Sequence, residues 1–279
     1  MDLLDKTKQI CQKYNIKPSR SKGQNFLVRE NIYDKIVEIA DLNSDDVVLE
    51  VGPGLGFLTE RLARKAKKVI AVELDDKLAE VVGERMKEQG MENVEIINDD
   101  ILKIISKVES RKSKVVANLP YNITSIFLRK ILASKTYKLK PKSLTLMLQK
   151  EVAERIAARP SKMSKLAVSV QFYADAKIID YVGKENFWPQ PKVDSAIIKI
   201  VGTGHCSVQN EKEFFRLVKY GFSAKRKMLK NNLAAGYQIK PVEAAELLKI
   251  ADFRQNIRAQ ELSVENWLKL FGKIEEIML

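Results

Sequence analysis

Thiols and imidazoles are scarce in this 279-residue chain, which holds two cysteines and one histidine. Cys11 and Cys206 lie far apart, and neither has a second thiol or a histidine at metal-ligand spacing. A disulfide framework and a zinc site are therefore excluded, no metal is expected, and the cysteine usage suits a reducing cytoplasm. Acidic residues are in deficit as well, with 36 Asp and Glu against 49 Lys and Arg and a formal charge of +13. That excess favours a polyanion such as RNA, DNA or an acidic membrane face, although a lysine-rich surface kept for solubility has the same composition. Long apolar runs are missing: none approaches the roughly 18 residues of a membrane span. Asp2, Asp5, Lys6 and Lys8 interrupt the N-terminal leucines where a secretory signal would be apolar, so no membrane association is expected. Internal repeats and low-complexity segments are absent too. At 45% hydrophobic residues, the sequence describes a water-soluble protein with one substantial core and a small annex, or two compact domains.

What is present alternates between two periods. Residues 1 to 22 read as a basic N-terminal arm in which Leu3, Leu4, Ile10 and Tyr14 make one or two amphipathic turns before Pro18. Val47–Val51 is a β-branched strand that runs into Gly52-Pro53-Gly54-Leu55-Gly56 and then a helix from Phe57 to Lys65. Strand and helix follow again at Val69–Glu73 and Asp76–Gln89, and further strands are expected at Val94–Ile97, Lys114–Asn118 and Ser143–Leu148, with helices at Thr124–Leu132 and Lys150–Ala158. Ala167–Ala174 and Ala196–Val201 read as two more strands around a proline-rich loop at 187–191. Alternation of this kind predicts an α/β fold, a Rossmann-like doubly wound and mostly parallel sheet. From Glu211 the periodicity is helical, so the expected organisation is an arm at 1–22, an α/β domain at 23–204 and a small C-terminal helical domain at 205–279. His205 reads as a linker residue.

A glycine loop leaving the first strand of such a sheet lies where ligands bind, with Gly52 and Gly54 letting a ligand approach backbone N–H groups. The spacing lacks the second pair of intervening residues of the dinucleotide fingerprint, which disfavours a pyrophosphate ligand. Glu73 ends the second strand roughly twenty residues on, where a carboxylate would accept from both hydroxyls of a ribose. Asp99 and Asp100 end the third, placed either to accept from an adenine amine or to cap the helix that follows. A tight turn with no ligand is the competing reading of the whole loop. Asn118-Leu119-Pro120-Tyr121 follows the fourth strand. The Asn118 side-chain carbonyl and the Leu119 backbone carbonyl form an acceptor pair suited to an adenine N6 amine, whose delocalised lone pair makes it a poor nucleophile. Pro120 would hold that carbonyl rigidly and Tyr121 would face the flipped base. On the loop at 187–191, Phe187 is the preferred second stacking face and Trp188 the reserve, unless either plugs the loop from beneath.

Taken in order, Gln24-Asn25-Phe26-Leu27, Glu50-Val51-Gly52-Pro53-Gly54-Leu55-Gly56, Asn118-Leu119-Pro120-Tyr121, Phe187-x-Pro189-x-Pro191-x-Val193-x-Ser195, the run from Phe222 to Leu233 and Arg258-Ala259-Gln260-Glu261-Leu262-Ser263 resemble the ribosomal RNA adenine N6,N6-dimethyltransferase family. The resemblance spans almost the whole chain. It implies a class I methyltransferase fold, S-adenosyl-L-methionine as cofactor, and dimethylation of two adjacent adenosines in a hairpin loop near the 3′ end of small-subunit ribosomal RNA during subunit maturation. By the same resemblance Asn25 and Leu27 contact the cofactor from the N-terminal side, joined by Gly52, Gly54, Glu73, Asn118 and one aspartate of the 99–100 pair. Alignment through Leu102 favours Asp100. The implied partners are that RNA and the immature 30S subunit, and nothing demands a dimer, so a monomer is expected. Lys17, Arg20 and Lys22 in the arm, with Lys225, Arg226, Lys227 and Lys230 beyond the catalytic domain, would track RNA phosphates. Three rival readings stay open: a macrolide-resistance methyltransferase of large-subunit RNA, a non-catalytic assembly checkpoint and a DNA adenine methyltransferase. The proline-framed Phe187 and the Lys225–Leu233 segment favour the small-subunit branch over the first, and the modest length beyond the catalytic domain disfavours the last.

Overall fold

The computed structural model describes residues 1–19, 23–105, 113–120, 123–133, 141–202 and 208–278. They fall into two compact units, Met1–Ala153 with Ala176–Gly202, and Glu154–Asp175 with Thr203–Leu279. The first unit begins with α1 (Leu3–Lys13), β1 (Phe26–Leu27) and α2 (Glu30–Ala40). Next come β2 (Val47–Val51), α3 (Phe57–Ala63), β3 (Lys68–Glu73), α4 (Asp76–Glu88), β4 (Val94–Asn98) and α5 (Ile101–Ile104). The chain continues through β5 (Lys114–Asn118), α6 (Thr124–Leu132), β6 (Ser143–Gln149), α7 (Lys150–Ile156) and α8 (Lys165–Gln171) to β7 (Ala174–Val182), β8 (Phe187–Trp188) and β9 (Ser195–Gly202). Four longer helices complete it: α9 (Glu211–Gly221), α10 (Leu229–Tyr237), α11 (Pro241–Ile250) and α12 (Val264–Met278).

Seven strands form one sheet in the order β4-β3-β2-β5-β6-β9-β7. The pairs from β4 through β6 are parallel, and β9 runs antiparallel to β6 from Ser143↔Val201 to Gln149↔Ser195. This is the Rossmann-like, mostly parallel α/β sheet the alternation predicts. Its central strands are β-branched and buried on both faces, as in Val115, Val116 and Ala117 of β5, because helices cover both sides. Chain order leaves β2 in opposite directions, to β3 and β4 on one side and to β5 and β6 on the other. The carboxyl ends of β2 and β5 therefore flank the switch point where open α/β sheets bind ligands.

Two local readings are corrected. The strand expected at Ala167–Ala174 is instead the helix α8, followed by a strand that only starts at Ala174. Ser164 caps the helix by accepting from the Ala167 N–H at 3.1 Å, and residues 166–170 are buried on every side, so the apolar run carries no period that separates helix from strand. The N-terminal arm holds more than one or two turns: α1 has 11 residues, is capped by Asp2, and ends at Lys13, ahead of Asn15 at φ 50° rather than at Pro18. Its own Leu3, Thr7 and Cys11 are buried, and the Tyr14 hydroxyl donates to Glu84 of α4 at 2.8 Å.

The second unit has its own apolar core, in which Phe172, Phe214 and Phe271 pack with Trp267, Leu233 and Leu248. Phe172 follows α8, and Ala167 and Val168 of that helix join the same core, which draws residues 154–175 into this unit from the middle of the chain.

Candidate active site

β2 delivers the chain into a loop whose three glycines, Gly52, Gly54 and Gly56, have φ of +69°, +59° and +79°. Side-chain-bearing residues rarely adopt that region, and space enforces the choice: a Cβ at Gly56 would lie 2.7 Å from Val82 Cγ2, and one at Gly54 would lie 3.3 Å from the Phe26 ring. The loop is held by its backbone. Gly52 N–H donates to the Val72 carbonyl at 2.9 Å, Gly56 N–H to the Pro53 carbonyl at 2.9 Å, and Gly54 N–H to Glu73 Oε2 at 3.1 Å.

Glu73, at the end of β3, is 7% exposed, and its Oε1 accepts from the Asp75 N–H at 3.0 Å. Burial raises its pKa, while the backbone N–H groups of Asp75, Gly54 and Leu74 pull it back toward the charged form. A second carboxyl lies close by. Glu50 of β2 is 1% exposed, and burial drives its pKa up to about 8; the neighbouring Thr59 hydroxyl lowers it and the Glu73 charge raises it further. Glu50 Oε2 has no hydrogen-bond partner among the described residues. Asp99 Oδ1 accepts from the Asp100 N–H at 2.6 Å, and Asp100 Oδ1 caps α5 through the Leu102 N–H at 2.9 Å. Asp100 therefore serves as a cap whatever else it does. Leu74, beside Glu73, leaves its apolar side chain 69% exposed.

β5 is hydrogen-bonded to β2, so its end, Asn118-Leu119-Pro120, lies against the same loop: the Cβ position of Gly52 is 3.8 Å from Pro120 Cδ and 4.0 Å from the Asn118 carbonyl. Leu119 is anchored, 1% exposed, with its N–H donating to the Met147 carbonyl of β6 at 3.2 Å. Pro120 hands the chain to α6, its carbonyl accepting from the Ile123 N–H at 3.3 Å and the Thr124 hydroxyl at 3.3 Å. Tyr121 lies outside the described residues.

The N-terminal segment joins the site through a two-stranded ladder in which Phe26 pairs with Trp188 and Leu27 with Phe187. Phe26 thereby packs on Gly54, and Gln24 Nε2 donates to Asp75 Oδ2 at 3.4 Å. Asn25 is half-buried beside it, with Nδ2 donating to the Gly23 carbonyl at 3.4 Å. Leu27 is 1% exposed, and its carbonyl accepts from the Tyr33 hydroxyl at 3.1 Å. Phe187 is 4% exposed and packs into the core of the first unit, as the plug reading expects, whereas Trp188 is partly buried. The ladder explains this, because it seats Phe187 opposite a residue that is itself in the core.

In the second unit Lys225, Arg226 and Lys227 stand exposed on the turn before α10, with Lys230 half-buried in the first turn of the helix. Asn232, 3% exposed, fixes that turn by donating to the carbonyls of Gly221 at 2.6 Å and Ala224 at 3.0 Å. Arg20, Lys22, His205 and Cys206 lie outside the described residues.

Four residues here had no role assigned from sequence: Glu50, Leu74, Phe26 and Asn232. A charged residue inside an otherwise apolar strand was the legible signal for Glu50. The others depend on packing that spacing does not report.

The donor and acceptor chemistry selects a class of ligand. Two buried carboxyls, one with an unpartnered oxygen, oppose a pyrophosphate and suit a cationic ligand rich in hydroxyl and amine donors. S-adenosylmethionine, with ammonium, sulfonium, ribose hydroxyls and an adenine amine, fits that set.

Comparison with known proteins agrees with this chemistry. Residues 15–276 match the family described as ribosomal RNA adenine dimethylase. The ribosomal RNA small subunit methyltransferase A of Dehalococcoides mccartyi (strain CBDB1) is 42% identical over 273 residues, covering 96% of this chain and 92% of that protein. Its namesake from Bacillus pumilus (strain SAFR-032) is 39% identical over 288 residues, covering 98% and 97%. Among solved structures, a dimethyladenosine transferase from Plasmodium falciparum superposes with a TM-score of 0.76 at 28% identity, over 89% of this chain and 96% of its own. The 23S rRNA methyltransferase ErmE superposes at 0.70 and 29% identity, over 90% and 100%. By its sequence over nearly its full length and by its fold, this chain belongs to the ribosomal RNA adenine dimethylase family.

Proposed function

We propose that this protein dimethylates N6 of two adjacent adenosines in the 3′-terminal hairpin loop of small-subunit ribosomal RNA, acting in the cytoplasm as a monomer on immature 30S subunits. The observation that carries the reading is the juxtaposition of the Asn118-Leu119-Pro120 strand end with the glycine loop after β2. Relatives named for the small subunit, near 40% identity over almost the whole chain, support that target over the large subunit.

S-adenosyl-L-methionine, when bound, supplies an electrophilic sulfonium methyl. Glu73 accepts from the ribose hydroxyls, Asp100 from the adenine amine with the carboxylate oxygen not used in capping, and Gly52 and Gly54 admit the ligand to the loop backbone. Asn25 and Leu27 close the site from the N-terminal side, Leu27 through its backbone because its side chain is buried. Asn118 contributes to the same pocket, Leu74 offers an apolar face to the adenine, and Glu50, which burial keeps protonated near neutral pH in the free protein, would give up that proton beside the cofactor's positive charge.

At the target, the Asn118 side-chain carbonyl and the Leu119 backbone carbonyl accept the two N6 hydrogens. Held this way, the nitrogen pyramidalises and turns its lone pair outward, so orientation rather than a strong base provides the catalysis. Pro120 fixes the carbonyl, Tyr121 contacts the flipped base, and Phe187 forms a wall of the base site from β8. Lys22, Lys225, Arg226, Lys227 and Lys230 contact RNA phosphates.

The test is transfer of labelled methyl to small subunits lacking this modification, followed by nucleoside mass spectrometry. Dimethyladenosine is the expected product, with Asn118→Ala reducing transfer by about 10²–10³-fold. Label in large-subunit RNA would move the protein to the resistance branch. Particle binding with no methylation by the wild type would leave an assembly-checkpoint role.

A further inference from the structure

The glycine loop has a second tether that the proposed chemistry does not use. Arg85 of α4 is an arginine with only 11% of its side chain exposed. Its Nη1 donates to the Leu55 carbonyl inside the loop, and its guanidinium lies over the Phe57 ring with the carbon 4.5 Å from the centroid. Nη2 stands 3.9 Å from Glu60 Oε2. Burial lowers the Arg85 pKa, opposed by the charge of Glu60, yet an arginine remains a cation across the physiological range. Arg85 also borders Gly56, since a Cβ there would stand in ordinary contact with Nη1 at 3.5 Å.

We propose that Arg85 is a positioning residue that pre-sets the glycine loop for its cofactor, an inference that rests on the reading of this loop as the S-adenosylmethionine site. The Leu55–Gly56 peptide is held at both ends, its carbonyl by Arg85 and its N–H by the Pro53 carbonyl at 2.9 Å. Glu73 holds the Gly54 N–H from β3. Left-handed glycines gain more conformational freedom than other residues when released, so an untethered loop would have to be ordered by the ligand, at a cost in affinity. The guanidinium lies over Phe57 while different nitrogens face the Leu55 carbonyl and Glu60, whereas a lysine has a single nitrogen for all three. Arg85 touches no reacting atom, so its effect belongs to binding rather than to the chemical step.

Arg85→Met and Arg85→Lys separate this role from plain packing. Calorimetric binding of S-adenosylmethionine and S-adenosylhomocysteine should weaken about tenfold in Arg85→Met, with Arg85→Lys intermediate. Hydrogen–deuterium exchange of the Gly52–Phe57 backbone, measured without cofactor, should accelerate in the same order. KM for the cofactor should rise while kcat at saturation stays within about twofold. Glu60→Gln, which leaves the Leu55 contact in place, should hold affinity within about twofold. Wild-type affinity and wild-type loop exchange in Arg85→Met, even with a lowered Tm, would overturn the proposal. If Arg85→Met does not fold, wild-type values in Arg85→Lys would do the same. Absence of cofactor binding by the wild type would instead overturn the site reading, while the exchange rates still decide whether Arg85 tethers the loop.

Discussion

Glu50 shows how much a single buried group can report. The unfolded chain releases its proton near 4.5, whereas burial in β2 holds the proton until about pH 8. Protonation therefore favours the folded state fully below 4.5, and that contribution is lost as pH rises through 8. In cofactor-free protein, Glu50→Gln should remove this dependence. Urea titrations at pH 5 and 8.5 should show the stability difference between variant and wild type widening in the variant's favour; parallel profiles would place the carboxyl in contact with solvent. Residues of this kind were partly legible. A glutamate among valines and leucines signals a buried charge, but its unpartnered oxygen and its proximity to Glu73 depend on two strands far apart in sequence. Asp100 was read both as a cap and as a ligand, and it caps α5 through the Leu102 N–H. Phe187 was read as a stacking face or as a plug beneath the loop, and the ladder with Leu27 seats most of its ring in the core.

Among the elements, α1 departs furthest from expectation. Leu3, Thr7 and Cys11 are buried and Tyr14 reaches Glu84 of α4, so α1 is packed onto the elements around the glycine loop. Deleting residues 1–22 should lower Tm by several degrees and weaken both S-adenosylmethionine and RNA binding several-fold. Unchanged cofactor affinity in calorimetry would remove the link between arm and site. In the helical unit, a Cβ at Gly221 would lie 2.3 Å from the fully buried Trp267 ring, so Gly221→Ala should cost about 1–3 kcal/mol through overpacking. Chemical unfolding followed by tryptophan fluorescence would register the loss, and an unaltered midpoint would mean the ring has room to shift. The strong strands β2, β3 and β5 were readable because both faces are buried and their side chains are β-branched. The helix α8 was not, because total burial erases periodicity, and two-residue strands such as β1 and β8 have no local signal at all.

At the scale of the whole molecule, the charge of +13 favours a polyanion, and Lys225, Arg226 and Lys227 form one exposed run of it. Replacing all three by alanine should flatten the dependence of log affinity for ribosomal RNA on log salt by about 2–3, read from binding titrations across salt. An unchanged slope would mean the triad is solvated in the complex. The sequence by itself determined the fold class, the strand–glycine-loop–helix unit, the Asn118-Leu119-Pro120 strand end and the family, because each rests on local spacing and on the type of residue at fixed offsets. Only the tertiary structure decided which of those segments meet. Parallel pairing of β2 with β5 brings Gly52 to Asn118, the β1–β8 ladder carries Phe26 to Gly54, and α4 sends Arg85 to Leu55. Such contacts are set by strand order and helix packing between residues 28 to 162 positions apart, a distance over which periodicity carries no information.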